Sequence, residues 1–198
     1  MNARGKKRRK QIRIKPDWKW IWTIFGVTVG ISATMSFLSN EILSDSSQGF
    51  SFVVLLVIIL LGIVFDIIGV SVTAADEKPF HSMAAKKVPE AAIALILLRR
   101  AERVSSFCND VVGDICGVVS GSASAVIAAN AVVNMTFGWA QIVQLLMSAF
   151  VAALTVGGKA FGKSIAMGNS TQIIHAAAKI IYAFQSVTRR LASLFRHA

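Results

Sequence analysis

Apolar residues run along this chain in four long blocks, at about 18–42, 50–75, 104–130 and 137–158, separated by short polar or charged stretches. An α-helix needs about 20 residues to cross a hydrocarbon core of about 30 Å. Each block is that long, and none is punctuated as a series of short strands would be. The pattern therefore predicts an all-α, polytopic membrane protein with four transmembrane helices. Residues 1–17 form a basic tail and 18–42 an N-terminal membrane anchor. Residues 50–168 form the core, which includes a juxtamembrane helical stretch at 78–103, and 169–198 form a C-terminal amphipathic helix. The first block could be read as a signal peptide, but its apolar stretch is too long for an h-region and no A-x-A-like site closes it.

Two segments outside the blocks are helical by pattern. Glu90–Arg103 carries Ala92, Ile93, Ile96 and Leu97 between charged ends, too few apolar turns for a span, and reads as a helix lying on the membrane surface. From Ser170 onward, Ile173, Ile174, Ala177, Ile180, Ile181, Phe184 and Val187 recur at helical spacing. Arg189, Arg190 and Arg196 follow, where cations suit both the helix dipole and anionic headgroups.

Charge then orients the spans. Of 21 Lys and Arg residues, nine lie in 1–20, six in 78–103 and six in 159–198, and the connectors Asn40–Gly49 and Ala131–Thr136 have none. Loops on the cytoplasmic side carry the Lys/Arg excess, so four spans with both termini cytoplasmic satisfy every basic residue. A net charge of +11 would suggest nucleic acid in a soluble chain. In a chain that is 55% hydrophobic, it reads instead as orientation and contact with anionic lipid headgroups, with no nucleic-acid partner. Lys6–Lys10 and the tryptophans Trp18, Trp20 and Trp22 mark one such interface. Cys108 and Cys116 share one span, which makes a disulfide between them geometrically implausible.

Polar residues inside spans are costly and carry the functional hypotheses. Asp66 lies well inside the second block; Gly69, Val70 and Thr73 share its face and Ser71 sits to one side. In the third block Asp110 and Asp114 are one turn apart, with Asn109, Gly113, Gly117 and Gly121 as an adjoining stripe. Carboxylate, amide and hydroxyl oxygens drawn from two spans suit a hard cation such as Mg²⁺. The structural alternative makes Asn109, Asp110 and Asp114 interhelical hydrogen-bonding groups and the glycines a close-packing surface. Gly157, Gly158 and Gly162 near the end of the fourth block allow three outcomes: an unwound turn that frees carbonyls, close helix approach, or termination with Lys159 and Lys163 snorkelling to headgroups. An enzyme is not expected, because His81, His175 and His197 are scattered and Ser120 and Ser122 have no base nearby.

Three stretches resemble, in order and spacing, the transmembrane domain of the CNNM/CorB/CorC magnesium-transport family. Ile68–Gly69–Val70–Ser71–Val72–Thr73–Ala74 resembles that family's F-S-G-S-E-T-A. Leu98–Gly117 resembles the segment leading into its next span and contributes Asn109. Gly158–Lys159–Ala160–Phe161–Gly162–Lys163–Ser164–Ile165–Ala166 is similar to its G-E-x-x-P-K-x-x-A motif. The resemblance covers about residues 50–182 and implies a homodimer of three-span cores, to which the span at 18–42 is an addition. It implies a cytoplasm-facing Mg²⁺ site held by hydroxyls, an Asn and backbone carbonyls, here Ser71, Thr73, Asn109 and the Gly158 carbonyl, with Asp66, Asp110 and Asp114 as additional carboxylates. Val72 and Lys159 replace acidic positions of the family, Gly69 replaces a Ser and Gly162 a Pro, and no CBS-pair domain is recognisable after the third core span. A Lys ammonium beside a cation site repels Mg²⁺ unless it points to solvent.

The expected function is a divalent-cation transporter or exporter of the plasma membrane for Mg²⁺ or Co²⁺. The alternative is a non-transporting scaffold that keeps the dimeric fold and recruits lipids or partners. The topology is testable with single-cysteine reporters in a Cys108→Ala/Cys116→Ala background. Reporters at Ser46 and Asn134 should react with an impermeant thiol reagent from outside intact cells, and one at Ala85 should react only after permeabilisation.

Overall fold

The computed structural model describes residues 18–44, 47–133 and 135–196. The Lys6–Lys10 run lies outside the described residues, as do the side chains of Arg189, Arg190 and Arg196. The described chain is helical with no strand: α1 (Trp18–Ser44), α2 (Gln48–Ala74), α3 (Lys78–Ala85), α4 (Pro89–Arg99), α5 (Ala101–Ser106), a π-helical segment (Phe107–Gly113), α6 (Asp114–Ala131), α7 (Phe137–Gly168) and α8 (Ser170–Arg196). Four helical stretches are long and apolar enough to cross a membrane: Trp18–Phe37, Gln48–Ala74, Ala101–Ala131 and Gly138–Gly168. These match the four apolar blocks. The third begins before its block because α5, the π segment and α6 are continuous, and the fourth runs ten residues past the expected end at 158.

α2 is the centre of the bundle, packed against α5, the π segment, α6, α7 and α8. Its contact with α6 and α7 includes a core of Leu55, Ile59, Ala123, Ile127 and Val151. Glycine permits the closest approaches. A Cβ on Gly62 of α2 would lie 2.9 Å from the Cβ of Cys116, and one on Gly162 of α7 would lie 2.8 Å from Ile67 Cγ1. Gly158 is seated in the same way against Ile63, one turn earlier on each helix. The expected stripe behaves differently, because Gly117 and Gly121 have nothing within 4 Å of a Cβ position. Positions four apart drift about 40° around an α-helix, so the stripe leaves the contact with α2 after Gly113.

The end of the bundle where α2 stops and α5 begins gathers Lys78, Lys86, Lys87, Arg99, Arg100 and Arg103 and is called the basic end below. There α3, α4 and α8 close around α2 through Val72, Phe80, Ala94, Leu98, Ile174 and Ala178. The buried face of α4 is Ala91, Ala94 and Leu98, with Ala92 and Ile96 exposed on the other side. α3 ends in a Schellman turn, in which the Lys87 N–H donates to the Ala84 carbonyl and the Val88 N–H to the Met83 carbonyl. Lys87 takes the left-handed position there (φ 59°), and Pro89 opens α4. α8 buries Ile174, Ala177 and Ala178, but leaves Ile180, Phe184 and Val187 exposed. α1 lies against α6 and the π segment, with Ile24, Ile31 and Met35 on the cluster of Ile58, Val111, Ile115, Cys116 and Val119. The Arg103 guanidinium, 5.1 Å from the Trp20 ring centroid, fixes the start of α1 at the basic end.

Glycine seats and open glycines should respond oppositely to alanine. Gly62→Ala should lower stability by about 1–3 kcal/mol through overpacking against Cys116. Gly117→Ala should be neutral or gain up to about 1 kcal/mol of helix propensity. Thermal or denaturant unfolding in detergent measures both.

Candidate cation site

The candidate site lies towards the basic end, where α2 meets the π segment and α7. Asp66 is buried (4% exposed) on the face of α2 towards these neighbours. A Cβ added to Gly113 would lie 3.9 Å from Asp66 Oδ1 and 3.4 Å from Lys159 Nζ, so the carboxylate and the ammonium converge on one point of the π segment. Lys159 Nζ donates to the Gly113 carbonyl at 3.2 Å and approaches Asp114 Oδ1 at 3.8 Å. Its side chain is 21% exposed, against 71% for Asp114, so the ammonium points inward and the outer carboxylate faces the surroundings. α7 runs unbroken through Gly158, which keeps that carbonyl in the helix ladder and excludes two of the three outcomes, an unwound turn and helix termination there. The glycines of α7 serve helix approach instead.

Asn109 is one helical turn further along. Its side-chain amide sits directly on Gly69, where a Cβ would overlap it, and its Nδ2 donates to Ser105 Oγ at 3.3 Å. Asn109 Oδ1 has no hydrogen-bond partner, nor have Asp66 Oδ2 and Ser71 Oγ, and among the described residues these are the buried side-chain polar atoms left so. Leaving such a group unpaired costs about 1–3 kcal/mol. All three are oxygens and all three belong to the set the sequence nominated. Ser71 is fully buried, but lies about 140° around α2 from Asp66 by helix geometry. Among the nominated groups, Asp66 faces the π segment from α2 and Asn109 faces α2 from the π segment, and Ser71 is offset from them.

The remaining nominated groups are turned away or already partnered. The Thr73 hydroxyl is exposed and donates to the Val70 carbonyl at 2.8 Å. Asp110 is exposed and accepts from Ser106 Oγ at 2.7 Å. The hydrogen bonds of Asn109 and Asp110 are therefore within the helix, one turn back to consecutive serines, rather than between helices. Sequence reasoning missed the Gly113 carbonyl and the role of Gly69 as a seat. The Ser105/Asn109 and Ser106/Asp110 pairs, each four apart, were the available signal. Cys108 and Cys116 are free and buried. No group of three His, Cys, Asp or Glu side chains is placed to hold a metal among the described residues.

The fold and site define a polytopic helical membrane protein with an ionisable cluster between spans. No family model, curated protein or solved structure matches the chain.

The Gly69–Asn109 seat is testable by a double-mutant cycle. Gly69→Ala should cost about 1–3 kcal/mol by displacing the amide. The same change in an Asn109→Ala background should cost less than half as much, because the clash is gone.

Proposed function

We propose that this protein handles a divalent cation, Mg²⁺ or Co²⁺, from the basic end of its membrane bundle, as a transporter or exporter of the CNNM/CorB/CorC type. The observation that carries the reading is the set of buried oxygens without partners, Asp66 Oδ2, Asn109 Oδ1 and Ser71 Oγ. A hard cation is the species for which carboxylate, amide and hydroxyl oxygens are the preferred ligands. The Gly113 carbonyl is a further donor at the same point, and Asp114 lies at its edge. The ion is cargo here and would meet the site from the cytoplasm, a direction supported by the Lys/Arg excess at the basic end and the rule that such excess faces the cytoplasmic side of the plasma membrane. Anionic headgroups surround that end, and a second copy of the chain is the partner that the sequence resemblance implies.

One observation favours a second reading. Lys159 brings its ammonium to within 3.2 Å of the Gly113 carbonyl, into the place a cation would take. A permanently seated lysine makes the protein a non-transporting membrane scaffold.

Thermal melting of the detergent-solubilised protein separates the two. Mg²⁺ at about 100 times its Kd stabilises the folded state by about 2.7 kcal/mol, so millimolar Mg²⁺ at constant ionic strength should raise the Tm by several degrees. Asn109→Ala or Asp66→Asn should remove that rise. A parent protein indifferent to Mg²⁺ and Co²⁺ would hand the lead to the scaffold reading.

A further inference from the structure

A groove of about 350 Å³ runs between α6 and α7, beside the candidate site, and Lys159 forms part of its wall. Ser120, Ser124, Ser148 and Thr155 line it, along with the open glycines Gly117 and Gly121. Three of the four hydroxyls have their hydrogens committed. Ser120 Oγ donates to the Gly117 carbonyl at 3.0 Å, Ser124 Oγ to the Gly121 carbonyl at 2.8 Å and Thr155 Oγ1 to the Val151 carbonyl at 2.8 Å. A hydroxyl that donates to its own helix offers what is left, its lone pairs, to whatever occupies the groove. Among an otherwise apolar lining that includes Val151, Ala152 and Val156, these three hydroxyls therefore present acceptors suited to a positive charge.

Lys159 lies between this groove and Asp66. Its unbranched stem has three rotatable donors at its tip, and helical side chains lean towards the N-terminus of their helix, which here is the direction of Thr155 one turn back. We propose that the α6–α7 groove is a second cation station, and that the Lys159 ammonium moves into it when a divalent cation occupies the oxygens around Asp66. The inference rests on the cation reading above. It makes Lys159 a tethered competitor of the ion: the ammonium neutralises Asp66 when no ion is there and has an acceptor-lined place to go when one arrives.

The test measures the Mg²⁺ concentration giving half of the maximal Tm shift, using monodisperse protein in each case. Lys159→Met removes the competitor and should lower this concentration about tenfold or more, given the size of a like-charge interaction across a few ångströms. Lys159→Gln, which keeps length and polarity, should act in the same direction and serves if the Met variant does not fold. The pair Ser120→Ala/Thr155→Val strips acceptors from the groove and should raise the half-saturating concentration about threefold in the parent, yet leave it unchanged with Lys159→Met already present. A response in Lys159→Met where the parent gives none would show a lysine that the ion does not displace, and would overturn the proposal. Equal responses in parent and Lys159 variants, or a groove effect that persists without the lysine, would overturn it and leave the cation reading standing. If neither the parent nor either Lys159 variant responds, the cation reading itself fails.

Discussion

Close approach to α2 at seats occupied by glycine is the constraint from which the rest of the structure follows. Helices in lipid gain little from hydrophobic burial against one another, because the tails are as apolar as leucine, so contact distance matters more than it does in water. Gly62 admits Cys116 of α6, Gly69 admits the Asn109 amide, and Gly158 and Gly162 admit Ile63 and Ile67. Those contacts bring α7 near enough for Lys159 to cross to the π segment and hold the Gly113 carbonyl. The ionisable cluster is a consequence of backbone proximity.

The site balances charge internally. A buried carboxylate in a span is tolerable when a counter-charge is near, and two unit charges about 4 Å apart at an effective dielectric of about 20 interact by about 4 kcal/mol. Lys159 Nζ and Asp66 Oδ1 both lie near Gly113, and the ion pair the ammonium makes is with Asp114, at 3.8 Å on the outer side. The ammonium leaves Asp66 Oδ2, Asn109 Oδ1 and Ser71 Oγ without a hydrogen-bond partner. Buried acceptors left unmet call for a partner that an ion pair alone does not provide.

Much of the architecture was legible in the sequence, because long apolar blocks leave little alternative in a membrane. The four long apolar helices and the helical character of the segments at 90–103 and from Ser170 onward were readable from hydropathy and period. Individual faces were less so. α4 is apolar nearly all round, so its pattern could not decide that Ala91, Ala94 and Leu98 turn inward and Ile96 outward. Gly117 and Gly121 have the spacing of a packing stripe, yet lie over open space, whereas the glycines that do seat a neighbour are spread over α2 and α7. Asp66, Ser71 and Asn109 were found as candidates because their type is costly in a span. The π segment was not found, since no residue type announces the wider turn, and with it the Gly113 carbonyl escaped notice.

α7 has 32 residues and a single residue, Asn169, separates it from α8. At 1.5 Å per residue it is about 48 Å long, well beyond a hydrocarbon core of about 30 Å, so it must tilt or project. Tilting such a rod by about 10° carries its far end sideways by about 8 Å. Packing against neighbouring helices sets how such a helix leans. The seats of Gly158 and Gly162 on Ile63 and Ile67 thereby act as a fulcrum, holding α7 at Lys159 while the lever arm of the long helix lies beyond them.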